Sequence, residues 1–215
     1  YFIEYMNQKD GKNSLGLDHC FEELDNPIDL FKKWMSKAEE TEVNDPNAVA
    51  LATADGNNQP NVRMVLLKGL SNRGFVFYTN FKSKKGDELK TNQNAAMCFH
   101  WKSIRRQVRV SGKVEEVTKT EADNYFNSRP YKNKIGAWAS SQSKILDKRE
   151  TFLEKIKNFE KKYPDPKKIP RPSYWSGWRI LPKEIEFWID GEGRIHERLN
   201  YKHFEKKWIK ELLYP

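Results

Sequence analysis

The first clear periodicity in the chain predicts an amphipathic helix over residues 27–40. Apolar side chains recur there at intervals of three and four residues and so share one helical face; they are Phe31, Trp34, Met35 and Ala38. Asn26-Pro27 stands directly before them, and Asn is a favoured N-cap while Pro suits the first helical position. Residues 1–25 mix charged residues with Gly and Asn, which indicates an extended N-terminal arm.

From residue 47 the pattern changes to short runs rich in β-branched and aromatic residues, which are typical of strands. Turn-forming clusters such as Asp55-Gly56 separate these runs. The predicted strands are Ala48–Ala54, Val62–Lys68, Gly74–Thr79, Ala95–Trp101 and Gln107–Val117. Five strands so close together in sequence favour an antiparallel barrel or sandwich.

Helices and further strands follow. Because Ser and Thr cap helices and Pro ends them, helices are predicted over Ser83–Asn92, from Thr118 or Thr120 to a point before Pro130, and over Ser143–Tyr163. The last helix would carry an apolar stripe of Ile145, Phe152, Leu153, Ile156 and Phe159. Strands resume at Tyr174–Ile180, Glu184–Ile189, Gly193–Leu199 and Lys207–Leu213. The expected fold is therefore α+β, a β-barrel interrupted and flanked by helices.

Composition excludes several classes of protein. Hydrophobic residues make up 37% of the 215 residues, enough for a core and against wholesale disorder. No apolar run approaches the ~20 residues that cross a bilayer, and the first residues lack the features of a signal peptide. Cys20 and Cys98 have neither metal nor redox spacing, so a reducing compartment is expected, with a disulfide between them unsupported. These features predict a cytoplasmic protein, although position 1 is not Met, which leaves an upstream targeting segment open.

The formal charge of +9 and pI near 9.3 predict affinity for anions. Charge alone leaves nucleic acid, membrane surfaces and phosphorylated small molecules open. The four histidines are not paired at metal-ligand spacing, so no metal site is expected; they are His19, His100, His196 and His203.

The most informative local pattern is Arg194-Ile195-His196-Glu197-Arg198. Within a strand, residues two apart share a face, so Arg194, His196 and Arg198 would project together. Three potential cations on one face repel each other unless an anion lies between them. The alternative is a basic face exposed to solvent.

A second pattern is Arg63-Met-Val-Leu-Leu-Lys68, which resembles a buried strand with a cation at each end. Strict alternation would place Arg63 and Lys68 on opposite faces. Both can serve one site only if the strand bends or ends before Lys68. The alternative is a core strand with two surface cations.

A third pattern runs from Tyr78 and Thr79 to Ser83, Lys84 and Lys85, where a strand ends and a Ser-capped helix begins. Lysines in the first turn oppose the helix dipole. This choice is explained if a phosphate binds the free N–H groups and the lysine charge together. The alternative is a surface lysine cluster.

Two further segments carry polar groups suited to a phosphorylated ring. Tyr125 and Arg129 are four apart on a helix and share a face, and Asn133 would lie beside them in a loop beyond Pro130. In the second segment, Ser143 follows Gln142 and is expected to cap the next helix, where an anion could also bind.

Together these motifs closely resemble the pyridoxamine 5′-phosphate oxidase family. The matching segments run in family order and are RMVLLKG at 63–69, GFVFYTN at 74–80, RRQVRVSG at 105–112, YFNSRP at 125–130, IGAWASSQS at 135–143, YWSGWRILPKEIEFW at 174–188 and RIHERLNY at 194–201. The resemblance implies one FMN-binding split-barrel domain over 26–215, with a C-terminal dimerisation and substrate segment at 174–215. It also implies a homodimer with FMN at the subunit interface, and neither nucleic acid nor membrane as a partner.

The resemblance also implies roles for individual residues. FMN would be bound by Arg63, Met64, Val65, Leu66, Leu67, Lys68, Tyr78, Thr79, Lys84, Lys85, Gln107, Gln142, Ser143, Trp188 and Arg198. Substrate would be bound by Lys68, Tyr125, Arg129, Asn133, Arg194 and His196, of which Arg194 and His196 are the catalytic residues. The implied reaction moves a hydride from C4′ of pyridoxamine or pyridoxine 5′-phosphate to the flavin. Dioxygen then reoxidises the flavin, which yields pyridoxal 5′-phosphate and hydrogen peroxide, with ammonia from the amine.

The chain departs from the family pattern in four places. Lys84 stands where the family usually has Arg, which keeps the charge but loses the two-pronged geometry. Asn133 replaces a usual Ser and can still donate to phosphate. The C-terminus is Leu-Leu-Tyr-Pro, and residues 1–20 lack a clear match to the family's basic N-terminal segment. These departures bear on affinity more than on the reaction.

Two other functions compete with this interpretation. A related split-barrel flavoprotein acting on another substrate is disfavoured because Tyr125, Arg129, Arg194 and His196 are all present. A nucleic-acid binder would place aromatic residues beside Lys and Arg on one exposed sheet face. Most Trp and Phe of this chain lie instead in apolar strand patterns.

Overall fold

The computed structural model describes residues 21, 22 and 24–215 and contains both helices and strands. The helices are α1 Pro27–Thr41, α2 Lys84–Thr91, α3 Lys119–Ser128, α4 Tyr131–Ala139 and α5 Arg149–Lys162. The strands are β1 Ala48–Ala54, β2 Pro60–Leu66, β3 Gly69–Ser71, β4 Gly74–Asn80, β5 Asn94–Trp101, β6 Arg106–Glu116, β7 Trp175–Ile189, β8 Glu197–Phe204 and β9 Lys207–Leu212. Most of the predicted N-terminal arm, and Cys20 with it, lies outside the described residues.

All nine strands belong to one sheet with antiparallel pairings. Its order is β2-β1-β5-β6-β7-β4-β3, and β8 and β9 extend it beside β7. The first half of β7 pairs with β4 and the second half with β8, while β6 lies along its other edge. One long strand therefore joins two parts of the sheet, and the α+β prediction of an antiparallel barrel with flanking helices is confirmed.

The main core lies between α1 and the inner face of the sheet. Phe31 contacts Phe75 and Phe99 with ring centroids 4.9 Å apart in each pair, and Trp34 meets Phe187 edge to face at 5.1 Å. The Asn26 side chain accepts from the Ile28 N–H, as expected of an N-cap. The predicted helix and its apolar stripe are thus confirmed.

The segment between Pro130 and α5 differs from the prediction. Pro130 was taken only as the end of a helix, yet Pro also suits the start of one, and α4 begins directly after it. The helix predicted from Ser143 begins only at Arg149, because Ser143 has φ 67°, a left-handed backbone that does not cap a helix. Ile145 is consequently fully exposed and takes no part in the predicted stripe, whereas Phe159 packs in a second core beneath α4 and α5.

Two strand predictions also need correction. Residues Trp175–Ile189 form one continuous strand instead of two, because β7 has an extra residue, Lys183, opposite Ser111/Gly112 of β6, and this bulge accommodates the adjacent Pro182. Strand β2 is an edge strand whose Val62 and Met64 side chains are 71% and 65% exposed. The prediction of a buried strand between Arg63 and Lys68 was therefore wrong.

The described residues contain neither a helix long and apolar enough to span a membrane nor a cluster of side chains suited to hold a metal ion. Cys98 is a free thiol on β5, and burial raises its pKa.

Candidate active site

A cavity of about 1130 Å³ opens between the edge of the sheet and the helices α2, α3 and α4. It brings together many of the residues that the family resemblance singled out. Of the residues expected to bind FMN, the cavity contains Arg63, Met64, Val65, Leu66, Lys68, Tyr78, Thr79, Lys84, Lys85, Gln142 and Ser143. Of the residues expected to bind the substrate, it contains Lys68, Tyr125, Arg129 and Asn133.

Strand β2 explains how Arg63 and Lys68 reach the same cavity. It ends at Leu66, so Lys68 lies outside the strict alternation that would have separated the two cations. The Lys68 N–H donates to the carbonyl oxygen of Val76 on β4, which ties this segment to the neighbouring strand. Leu67 points into the main core and is 8% exposed, so its side chain lies away from the cavity.

Lys85 is the most buried cation of the cavity, with 8% of its surface exposed. Its ammonium group lies 3.3 Å from Thr79 Oγ1, 3.4 Å from Ser83 Oγ and 3.4 Å from Gln142 Oε1, all neutral oxygens. Burial, and secondarily the charge of Arg63, lower the pKa of Lys85. Ser83 caps α2 by accepting from the Gly86 N–H, as predicted. This corner of the cavity therefore combines a poorly balanced positive charge with a helix N-terminus.

The opposite wall is a stack of aromatic rings. The rings of Tyr78 and Tyr125 lie 4.0 Å apart at 18°, and Trp175 continues the stack 5.5 Å from Tyr78 at 7°. Burial raises the pKa of both tyrosines. Trp175 was not among the predicted site residues; its place at the start of a long strand beside Tyr174 was the only sequence signal.

Arg129 lies beside this stack and carries an unsatisfied nitrogen. Its guanidinium carbon lies 4.6 Å from the Trp175 ring centroid, and its Nη1 is buried without a hydrogen-bond partner among the described residues. Such a group is costly unless a ligand pairs with it. Asn133 was expected in a loop but lies in the first turn of α4, where its N–H donates to the Pro130 carbonyl oxygen.

An ion network around the buried Arg179 holds the helix that presents Tyr125 and Arg129. Glu121 closes a capping box with Thr118 at the start of α3 and also pairs with Arg179 of β7. Arg179 is 4% exposed and pairs with Glu115 of β6 as well, at 3.0 Å. Glu121 thus joins α3 to β7, and Glu115 of β6 binds the same arginine from within the sheet.

The remaining predicted residues lie apart from the cavity, at the other end of β7. Gln107, Trp188 and Arg198 form one row across β6, β7 and β8, and the His196 ring lies 4.7 Å from the Trp188 indole. Trp175 and Trp188 stand near opposite ends of β7. In a straight strand, two residues this far apart in sequence would be separated by roughly 40 Å. We call Gln107, Trp188, Arg194, His196 and Arg198 the strand-end group.

The prediction that Arg194, His196 and Arg198 share one strand face was wrong. Residues 192–194 form a 3₁₀ turn in which Gly193 has φ 62° and Arg194 φ 65°, and β8 begins only at Glu197. At Gly191 a Cβ would lie 1.8 Å from the Ile195 carbonyl oxygen. The tight turn therefore depends on glycine, and alternation applies only beyond it.

Carboxylates lie beside two residues of the strand-end group, Arg198 and His196. Arg198 Nη2 lies 3.0 Å from Glu186 Oε2, which also pairs with Arg109 at 3.2 Å. The Nδ1 atom of His196 lies 3.3 Å from Asp190 Oδ1 and 3.2 Å from the Gly191 amide nitrogen. A neutral imidazole accepts from the amide, whereas an imidazolium donates to the carboxylate.

Both parts of the chain match known families. A family model described as pyridoxamine 5′-phosphate oxidase matches residues 35–163. A second, described as the pyridoxine 5′-phosphate oxidase C-terminal dimerisation region, matches residues 175–215.

Relatives match along almost the whole chain. A pyridoxine/pyridoxamine 5′-phosphate oxidase from Pelagibacter ubique strain HTCC1062 is 56% identical over 211 residues, covering 98% of this chain and 100% of that protein. Its counterpart from Sinorhizobium fredii is 54% identical over 197 residues, covering 91% of this chain and 95% of that protein.

Solved structures share the fold. PhzG from Burkholderia lata 383, in complex with tetrahydrophenazine-1-carboxylic acid, has a TM-score of 0.85 at 29% identity and covers 90% of this chain and 95% of its own. A pyridoxamine 5′-phosphate oxidase-related, FMN-binding protein from Nostoc punctiforme has a TM-score of 0.72 at 16% identity, covering 90% of this chain and all of its own. Sequence and fold agree that the chain belongs to the pyridoxamine 5′-phosphate oxidase family.

Proposed function

We propose that this protein oxidises pyridoxamine 5′-phosphate and pyridoxine 5′-phosphate to pyridoxal 5′-phosphate, with FMN as cofactor and dioxygen as electron acceptor. The observation that carries the proposal is that one cavity offers two separate places for a phosphate. Lys85 and its neighbours form one, and the buried nitrogen of Arg129 forms the other. A phosphorylated cofactor and a phosphorylated substrate need such a pair.

The Lys85 corner suits the phosphate of FMN. The hydrogen-bond partners of the buried ammonium are neutral oxygens, so a bound phosphate would add a direct ionic contact that these partners do not make. Lys84 and Arg63 line the same cavity and add positive charge. FMN, when bound, supplies the acceptor for the two electrons that leave the substrate.

The Arg129 corner suits the phosphate of the substrate. A guanidinium with a free nitrogen makes strong charge-assisted hydrogen bonds to phosphate oxygens, and Tyr125 and Asn133 line the cavity beside it. The stacked rings of Tyr78, Tyr125 and Trp175 form a flat apolar wall, which suits a pyridine ring. The substrate would thus be fixed at both its phosphate and its ring.

The strand-end group would complete each site from a second copy of the chain. Gln107, Trp188 and Arg198 lie at the far end of β7 from the cavity, so one chain does not bring the two groups together. Residues 175–215 match a dimerisation region, and a twofold dimer delivers the same group to both cavities. FMN would then lie at the interface.

Arg194 and His196 would act on the substrate from this second copy. Arg194 projects from a glycine-dependent turn, which fixes its backbone at φ 65°, and the Trp188 ring supports the imidazole of His196. We assign them the roles of holding the substrate and polarising the group at C4′ as hydride leaves. Arg198 would offset negative charge on the flavin.

The absorption spectrum of the purified protein, followed by oxygen-dependent turnover of both vitamin B6 phosphates, tests the proposal. The expected result is a yellow protein with flavin bands that forms pyridoxal 5′-phosphate and hydrogen peroxide in equal amounts. A protein that takes up no FMN, or that binds FMN but oxidises only a carboxylated ring such as the ligand of the Burkholderia relative, would overturn it.

A further inference from the structure

Glu88 is a buried carboxylate beside a cavity lined by cations. It projects from α2, the helix that begins with Ser83, Lys84 and Lys85, and is 4% exposed. A negative charge near a phosphate site opposes the ligand. Two sets of contacts, described next, explain why a carboxylate is nevertheless present at this position.

The first contact is with Arg63. Glu88 Oε2 lies 3.1 Å from Arg63 Nη2 and accepts from Thr53 Oγ1 at 2.5 Å. Arg63 Nη1 donates in turn to Thr53 Oγ1. The guanidinium is therefore held at two nitrogens by one closed group of side chains, and its rotation is restricted.

The second contact runs through Asn61 to Lys84. Asn61 Nδ2 donates to Glu88 Oε1 at 2.8 Å, which leaves Asn61 Oδ1 to accept from Lys84 Nζ at 3.0 Å. A carboxylate only accepts hydrogen bonds, so Glu88 dictates which end of the Asn61 amide faces it. The charge of Glu88 thereby sets an acceptor in front of Lys84.

We propose that Glu88 is a positioning residue for the phosphate of FMN, which fixes Arg63 directly and Lys84 through Asn61. The proposal rests on the proposed function, since it requires FMN in this cavity. It also gives a physical account of Lys84. A lysine is a flexible point charge that lacks the rigid fork of the family's usual arginine, so an external acceptor must orient it.

Glu88→Gln tests the proposal with little change in size. The new side-chain amide must donate towards either Arg63 or Asn61, and turning Asn61 to accept would present its Nδ2 to the Lys84 ammonium. We expect the apoprotein to bind FMN about tenfold more weakly, the low end for loss of a charge-assisted hydrogen bond. Riboflavin, which lacks the phosphate, should bind as it does to the wild type. Quenching of flavin fluorescence measures both dissociation constants.

Asp87→Asn is the matched control, since it removes a charge from the neighbouring position of α2. The Asp87 side chain is 57% exposed, and its carboxylate lies 3.9 Å from the Lys144 ammonium, away from the Glu88 contacts. FMN affinity should change less than about twofold. A loss equal to that of Glu88→Gln would mean that the loss does not come from the contacts of Glu88 with Arg63 and Asn61, which would overturn the proposal.

Asn61→Ala provides a second variant at a half-buried position, should Glu88→Gln impair folding. It removes the connection from Glu88 to Lys84 but leaves the contact between Glu88 and Arg63, so FMN affinity should fall by less than in Glu88→Gln, again with riboflavin unchanged. The double variant should bind FMN no worse than Glu88→Gln, because both changes break one network.

The outcomes separate the two hypotheses. A wild-type apoprotein that binds FMN no more tightly than riboflavin would overturn the proposed function and the role of Glu88 with it. A wild type that prefers FMN, combined with variants that lose both flavins equally or lose neither, would overturn the role of Glu88 alone.

Discussion

Two cations of the cavity, Lys85 and Arg129, have no carboxylate at ion-pair distance among the described residues, whereas Arg198 and His196 of the strand-end group do. In the cavity, Lys85 contacts neutral oxygens, and Arg129 Nη1 has no hydrogen-bond partner among the described residues. At the strand ends, Glu186 pairs with Arg198 and Asp190 lies beside His196. Buried charge without a partner is costly, so the cavity is suited to an anionic ligand. In the strand-end group Arg198 and His196 each have a carboxylate beside them, and the group suits the orientation of a substrate that other residues bind.

Among changes that test this comparison, the largest effect is expected from a substitution of Arg194 in the strand-end group. Arg194→Ala should lower turnover about a hundredfold, because positioning at the reacting centre is lost, while the FMN dissociation constant changes less than about twofold. Steady-state kinetics and flavin titration on one preparation measure the two quantities. Equal loss of turnover and FMN affinity would contradict the assignment of Arg194 to the substrate.

Arg129→Ala should have the next largest effect, and on substrate affinity. Removing a charge-assisted contact to phosphate should raise KM for pyridoxamine 5′-phosphate about thirtyfold. Arg129→Lys, which keeps the charge but loses the two-pronged geometry of the guanidinium, should raise KM by less than Arg129→Ala does. Pyridoxamine without its phosphate is the control substrate. If its oxidation is impaired as much as that of the phosphate, Arg129 does not bind the phosphate.

The smallest effect concerns pH. Burial lowers the pKa of Lys85, so in the apoprotein its ammonium loses the proton at a lower pH than an ordinary lysine does. Affinity for FMN should therefore decrease with rising pH from that point, up to about tenfold per unit. Titrations of wild type and Lys85→Met across the alkaline range measure this. Persistence of the same decrease in Lys85→Met would assign it to another group.

Local patterns predicted the elements that depend on local physics. The stripe containing Phe31 and Trp34 and the Asn26 cap predicted α1 within one residue of its observed end, and β1 agreed at both ends. Alternation failed at Arg194, because Gly191 and Gly193 permit a turn within a segment of strand-like composition. The chain position of Pro130 did not reveal whether it ended one helix or began another.

The site was predicted as a set of residues but not as two groups. Sequence spacing carries no information on which end of a 15-residue strand meets which helix, so nothing local separated Trp188 from Tyr78. Glu88 gave no signal either, because a Glu in a charged helix is usually solvated. Its role depends on contacts with Asn61 and Arg63, more than twenty residues away in sequence.

Purified heterodimers give the most direct test that a cavity and a strand-end group from different copies form one active site. In a dimer of an Arg129→Ala chain with an Arg194→Ala chain, one site carries both changes and the other carries neither, so about half the wild-type turnover is expected. At substrate concentrations below the wild-type KM, the control dimer, wild type with the Arg129→Ala/Arg194→Ala chain, should be almost inactive, because each site has one defect. Activity in the control dimer and none in the first would contradict the account.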